Sequence, residues 1–364
     1  MEILKKYAHL LVNYCVEIKP GDRLFVNSTT LAEPLIREIY REALKQGANV
    51  EVSMAFAEKQ RIYYQHAGAG QLKYVPVLFE KAMREFDVYI NIMAPFNLNE
   101  ASNIDKEKLM LHQEALKPVM DAYFKRTATR ELRRNLCLYP TQASAQYAGM
   151  SLEEYSDFVY NACRLYDEDP VQSWVEVGKA QQRIVDFLNT KRDFVYKGKD
   201  FEISFNTEGR TWINSDGKTN MPSGEVYTSP VEDSVNGTIF FSYPGIYMGH
   251  RVEGVRLWVK DGYIEKWTAE RGKEFLDKIF AMEGTRRFGE AAIGTNERID
   301  KITGNILFDE KMGGSVHMAI GQSYLQCGGK NQSPVHWDMI TDMKDGGEIY
   351  ADGQLIYRNG EFLV

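Results

Sequence analysis

The chain has 364 residues, enough for a large core and for two domains more readily than one or three. Its 44% apolar and 12% aromatic content is that of a folded globular protein and not a disordered one. The net charge of −7 arises from acidic and basic residues mixed along the chain, and the absence of any Lys/Arg block or basic aromatic stripe argues against a nucleic-acid partner.

Met1 to Val12 has apolar residues at helical spacing and lacks the apolar core and cleavage site of a signal peptide, so a first amphipathic helix is expected. No apolar run approaches the ~20 residues needed to span a bilayer, and the expectation is a soluble, cytoplasmic protein with no membrane partner. Gly21-Asp-Arg-Leu-Phe-Val-Asn27 predicts a buried strand opened by a turn. A helix from Leu31 to Gln46 follows, closed by Gly47. Val50 to Met54 predicts the next strand, and Ala55 to Ala67 and Pro76 to Glu85 predict helices. A strand over Asp87–Ile92, a polar helical segment over Glu100–Arg130 and a strand over Arg134–Tyr139 complete an alternation that means a parallel sheet covered on both faces.

Ser151-Leu-Glu-Glu is a capping box that starts a helix reaching Leu165, and Val171 to Thr190 predicts one more long helix. Past Lys191 the texture changes to short alternating segments separated by Gly, Asn and Asp turns. Val195–Gly198, Phe201–Phe205, Gly237–Ser242 and Val255–Lys260 are examples. Asp261-Gly262 predicts a tight hairpin, Ala269 to Met282 a helix, and Glu348 to Arg358 a final hairpin. The predicted architecture is therefore α/β, with an N-terminal parallel-sheet domain over 1–192 and a C-terminal mixed α+β domain over 193–364.

Chemistry concentrates in the second half. His336-Trp-Asp338 puts two potential ligands at i, i+2, which on a strand share one face. His317 and Tyr324 lie seven apart, two helical turns, so they would share a face if the chain from Ser315 were helical. Glu225, Glu290 and Glu310 sit beside glycines in apolar or turn-like sequence, where an unpaired buried carboxylate would cost several kcal/mol or lose its charge. Salt bridges to Arg286, Arg287, Arg298 or Lys311 would satisfy them, and so would a metal. Three glutamates, an aspartate and two imidazoles form an N/O set suited to Zn, Co or Mn, and enough for two adjacent ions sharing a carboxylate and a water. The cysteines Cys15, Cys137, Cys163 and Cys327 are scattered, which argues against a disulfide framework or a thiolate zinc site. His66-Ala-Gly-Ala-Gly70 follows a helix and is no dinucleotide fingerprint, and the chain has neither a phosphate loop nor a nucleophile elbow.

With these residues in hand, the chain resembles the M29 family of metallo-aminopeptidases along nearly its whole length. The likeness is sharpest in Met221-Pro-Ser-Gly-Glu-Val-Tyr-Thr-Ser-Pro230, Gly289-Glu-Ala-Ala-Ile-Gly-Thr-Asn296, Phe308-Asp-Glu310, His317-x-Ala-x-Gly-x-x-Tyr324 and His336-Trp-Asp338. The resemblance implies that Glu225, Glu290, Glu310, His317, His336 and Asp338 are metal ligands and that Tyr324 is catalytic. It also implies a homodimer whose C-terminal domain carries the metals. Two departures flank the site: the Glu310 to His317 spacing is longer through Met312-Gly-Gly, and the Tyr324 to His336 stretch is shorter.

The function so implied is removal of the N-terminal residue of short peptides. Two divalent ions per chain, ~3.5–4 Å apart, would activate a bridging water and polarise the scissile carbonyl, one of them also holding the free amino group. Glu290 or Glu310 would carry the proton to the leaving amine. Tyr324 would donate a hydrogen bond to the oxyanion, worth ~3 kcal/mol for a well-placed donor. Another metal-dependent amide or dipeptide hydrolase on the same scaffold, and a non-enzymatic binding protein with structural His and Glu residues, are the alternatives.

Overall fold

The computed structural model describes residues 2–364. They group into two compact units, Met1–Ser173 with Gly217–Pro222, and Trp174–Asp216 with Ser223–Val364. The change of texture at residue 192 falls just past the helix Pro170–Leu188, most of which belongs to the second unit.

The first unit is built on a parallel sheet. Its strands Asn49–Ala55, Arg23–Thr29, Val88–Met93, Arg133–Leu138 and Asn220–Met221 lie in that spatial order. Leu24, Phe25 and Val26 are consecutive and all buried, which a strand achieves only when both faces of its sheet are covered. On the Phe25 side, Phe25 and Tyr89 pack with Met83 and Val119 of the helices Val77–Glu85 and Lys106–Ala128. The capping box forms as its sequence dictates: Ser151 accepts from the Glu154 N–H at 3.2 Å, Glu154 accepts from the Ser151 N–H at 2.8 Å, and the helix Leu152–Ala162 follows. The helix expected over Ala55–Ala67 is shorter, Lys59–His66, because Glu58 takes a left-handed conformation that interrupts it.

The second unit holds two large antiparallel sheets. One has eight strands, with Asp193–Lys197 and Glu202–Asn206 near its middle and the Val255–Lys260/Tyr263–Thr268 hairpin at one edge. The other has five, in the order His336–Asp342, Ser315–Gly321, Phe288–Gly294, Glu225–Thr228, Ile213–Ser215. A single apolar cluster takes Tyr196 and Phe205 from the first sheet and Ile293, Val316, Met318 and Ile320 from the second. That cluster claims one face of the five-stranded sheet. The segment from Ser315, expected to be helical if His317 and Tyr324 shared a face, is instead a strand of seven buried residues. It is hydrogen-bonded on both sides, and Val316, Met318 and Ile320 supply the core on alternate positions. No helix among the described residues is long and apolar enough to cross a membrane.

Candidate metal centre

Side chains opposite one another in an antiparallel ladder share a face, so register decides which residues meet. Glu225 pairs with Gly294, Ala292 with His317, Glu290 with Ala319, Ala319 with Asp338, and Gly321 with His336. Following these pairs across the sheet puts Glu225, Glu290, His317, His336 and Asp338 on the face turned away from the apolar cluster. The sheet is thus amphipathic in an unusual sense: hydrocarbon on one side, carboxylates and imidazoles on the other.

Glu290 reaches that face through a bulge. Phe288 and Glu290 are two apart and would ordinarily point the same way, yet Phe288 faces the core opposite Ile320. The register shifts between them, at Gly289. A Cβ at Gly289 would lie 2.2 Å from the Gln322 carbonyl oxygen, so the bulge needs glycine. Gly224, with φ +115°, plays the matching part before Glu225, where a Cβ would meet Asn296 at 2.8 Å. Gln181 donates to the Glu225 backbone carbonyl at 3.1 Å and to Asn214 at 2.8 Å, tying this strand to the long helix.

Glu310 arrives separately, at the end of the short helix Ile306–Asp309. Asp309 holds that turn by accepting from the Thr303 N–H, the Thr303 hydroxyl and the Gly304 N–H at 2.8–2.9 Å. Tyr324 lies three residues past the strand Ser315–Gly321, its N–H donated to Ser229 Oγ at 3.2 Å. Its ring sits 4.8 Å from that of His336 and 5.4 Å from that of Tyr227. Six carboxylates and imidazoles named from the sequence therefore come together, with the tyrosine against one of them.

Distances within the cluster are short. His317 Nε2 is 3.4 Å from Glu225 Oε2 and 3.6 Å from Glu290 Oε1. His336 Nε2 is 3.1 Å from Glu290 Oε2 and 3.5 Å from Asp338 Oδ1. Three overlapping groups each bring donor atoms within 4.8 Å of one another: Glu225, Glu290 and His317; Glu290, His336 and Asp338; and Glu310, His317 and Asp338.

The electrostatics call for cations. Burial pushes the Glu310 carboxyl up to about 8, with Lys311 pulling against it and Glu225 and Asp338 adding to the rise. Burial disfavours a charged His317, but Glu290 and the other carboxylates hold its imidazole up at about 9. Asp338 is buried too, and His336, His317 and Lys311 hold it below the usual carboxylate range. Burial, reinforced by Glu290 and Asp338, keeps the Tyr324 phenol protonated far above its ordinary value.

Whether these residues fit a metal is tested by their unmatched atoms. Among the described residues, Glu225 Oε2, both ring nitrogens of His317, His336 Nε2 and Asp338 Oδ1 are buried and have no hydrogen-bond partner. A buried polar atom left so is costly, and such atoms concentrated on one sheet face mark a missing ligand. His336 donates its Nδ1–H to the Gln322 carbonyl at 2.8 Å, the arrangement that leaves Nε2 a free lone pair for a metal. The set fits.

Two neighbours escaped the sequence reading as site residues. Gln322, which orients His336, acts through its backbone and leaves no mark in sequence. Lys311 appears there only as a possible salt-bridge partner, yet it has no exposed surface and bonds Glu310.

A buried N/O donor set of this kind is that of a metal-using protein, and comparison with known proteins agrees. The family model for thermophilic metalloproteases (M29) matches residues 1–362, and the chain belongs to that family. It is 30% identical to Aminopeptidase 2 of Geobacillus stearothermophilus, the alignment covering 99% of this chain and 97% of that one. It is 25% identical to Aminopeptidase T of Thermus thermophilus, covering 99% and 98%. The structure of wild-type AmpT from Thermus thermophilus has the same fold, with a TM-score of 0.85 at 22% identity over 100% of this chain and 99% of that one. Membership of the family carries the use of a divalent metal.

Proposed function

We propose that the chain is a metal-dependent aminopeptidase that releases the N-terminal residue of short peptides, with Glu225, Glu290, Glu310, His317, His336 and Asp338 as the donors for up to two divalent ions. The observation that carries this reading is the set of unpartnered donor atoms on one face of the five-stranded sheet, in a chain that belongs to a metalloprotease family. The donors are carboxylate oxygens and imidazole nitrogens, which suit Zn, Co or Mn and not soft copper(I). The cytoplasm is the setting that the N-terminal sequence pattern suggests, and a homodimer is what the family resemblance implies.

Divalent ions bound there would supply Lewis-acid polarisation and a water acidic enough to ionise near neutral pH. The remaining work falls to the chain. Glu290 or Glu310 is the carboxylate that carries the proton from the attacking water to the leaving amine. Tyr324, kept protonated, donates a hydrogen bond to the oxygen that gains charge as the carbonyl is attacked. His336 is held in one tautomer by Gln322. The surplus of carboxylates attracts the free α-ammonium of a peptide, which is what separates an aminopeptidase from an endopeptidase.

The test is metal-dependent release of free amino acid from short peptides with free and with acetylated amino termini. Release from the free series alone is the expected result. Equal cleavage of both, or release independent of metal, would overturn the assignment.

A further inference from the structure

A lysine stands inside the donor cluster. Lys311 has no exposed surface, and its Nζ bonds Glu310 Oε1 and lies 3.5 Å from Glu225 Oε1. Its backbone is fixed on both sides, the N–H donated to the Phe308 carbonyl at 3.0 Å and the carbonyl accepting from the Asn296 N–H at 3.0 Å. The ammonium is therefore placed by the fold and does not wander in from the surface.

Resting on the metal-centre reading above, we propose that Lys311 takes the place of a second metal ion between Glu310 and Glu225, so that each chain binds one divalent ion tightly, on the side of Glu290, His336 and Asp338. The three donor groups are not equivalent. Two of them include Glu225 or Glu310, the carboxylates that Lys311 engages, whereas the group of Glu290, His336 and Asp338 includes neither. His336 Nε2 and Asp338 Oδ1, both in that third group, are unpartnered and free for an ion. His317, unpartnered at both nitrogens, lies between that group and the carboxylates that Lys311 engages, 3.6 Å from Glu290 Oε1 and 3.4 Å from Glu225 Oε2.

Charge and sterics agree. An ammonium and a divalent ion sharing the Glu310–Glu225 space would repel at close range in a poorly solvated site, where screening is weak. The lysine directly follows Glu310 and precedes Met312-Gly-Gly.

The experiment is calorimetric titration of metal-stripped full-length chain with zinc and with cobalt, alongside elemental analysis after desalting. The wild type is expected to take one ion per chain, any second binding at least about 100-fold more weakly, as the repulsion requires. Two ions with affinities closer than that would overturn the proposal while leaving the metal centre intact. No ion at all would overturn the metal-centre reading itself. Lys311→Met is expected to gain a second tight ion; a folded variant that still takes one would overturn the role given to the lysine. If that variant does not fold, Lys311→Gln decides, because it keeps a hydrogen-bond donor beside Glu310 and removes the charge, and it is likewise expected to gain a second tight ion. A folded Lys311→Gln that still takes one ion would overturn the proposal.

Discussion

His336 and Gln322 form the hinge pin of the site: the imidazole Nδ1–H is donated to the Gln322 carbonyl at 2.8 Å, and Nε2 is left 3.1 Å from Glu290 without a hydrogen bond. A histidine fixed in this way presents one lone pair in one direction. Replacing it by alanine removes the donor without touching the apolar face of the sheet. His336→Ala is expected to lower metal affinity by more than the 10- to 100-fold that loss of a ligand's outer partner costs, and to abolish peptide hydrolysis. Circular dichroism and melting of the metal-free forms should coincide with wild type. Unchanged metal affinity would remove His336 from the donor set.

Much of this was open to sequence because turns and caps are local. Asp261-Gly262 forms its tight hairpin with both residues at positive φ, and Ser151 caps its helix through its own hydroxyl. The His336 to Asp338 spacing does place both side chains on one strand face. The strand Ser315–Gly321 was hidden for a physical reason: it is buried on both faces, so no polar alternation separates a strand from a helix at that spacing. Tyr324 reaches His336 through a reversal at Gly321, with φ +95°, and not through a shared helical face. Lys311 was beyond reach, since only tertiary packing tells a buried lysine from a solvated one.

Tyr324 makes ring contact with His336 and keeps its proton. Removing the hydroxyl alone leaves the packing and the donor set intact. Tyr324→Phe is expected to lower kcat about 10²- to 10³-fold, the usual effect of losing one oxyanion donor, with metal content unchanged. A kcat within a factor of three of wild type would show that the phenol is packing only.

Gly289 lets Phe288 and Glu290 face opposite sides of the sheet. A methyl group there would lie 2.2 Å from the Gln322 carbonyl, the same carbonyl that orients His336. Gly289→Ala is therefore expected to cost about 2 kcal/mol or more in stability and to weaken metal binding together. Urea denaturation and metal titration of the same sample read both effects, and a loss of stability with unaltered metal affinity would uncouple the bulge from the site.

Away from the site, Glu42 sets part of the acid sensitivity of the first unit. Burial alone would raise its carboxyl, but His9, Lys45 and Asn13, at 2.9, 3.1 and 3.0 Å, bring it down to about 2. A carboxylate whose folded pKa is depressed contributes stability that is full above its unfolded value and is lost as pH falls through the folded one. Glu42→Gln is expected to be about 1 kcal/mol less stable than wild type at pH 7, after allowance for solvent screening. The gap should close between pH 4.5 and pH 2. A gap that persists at pH 2 would assign the effect to packing instead of charge.

Stripping the metal tests the site as a whole. Glu225, Glu290, Glu310 and Asp338 crowd one pocket of the sheet face, and Lys311 is the one lysine or arginine bonded among them in the described residues. Without a divalent ion the cluster must take up protons or tolerate repulsion, both of which cost stability. Chelation is expected to abolish hydrolysis and to lower the melting temperature, and zinc, cobalt or manganese should restore both. An ion held at 100 times its Kd stabilises the folded state by about 2.7 kcal/mol, so the melting shift should grow with the logarithm of free metal. In His336→Ala the same titration should give a smaller shift at every concentration. A melting temperature indifferent to chelator in the wild type would mean that the carboxylates are balanced by protons and Lys311 alone.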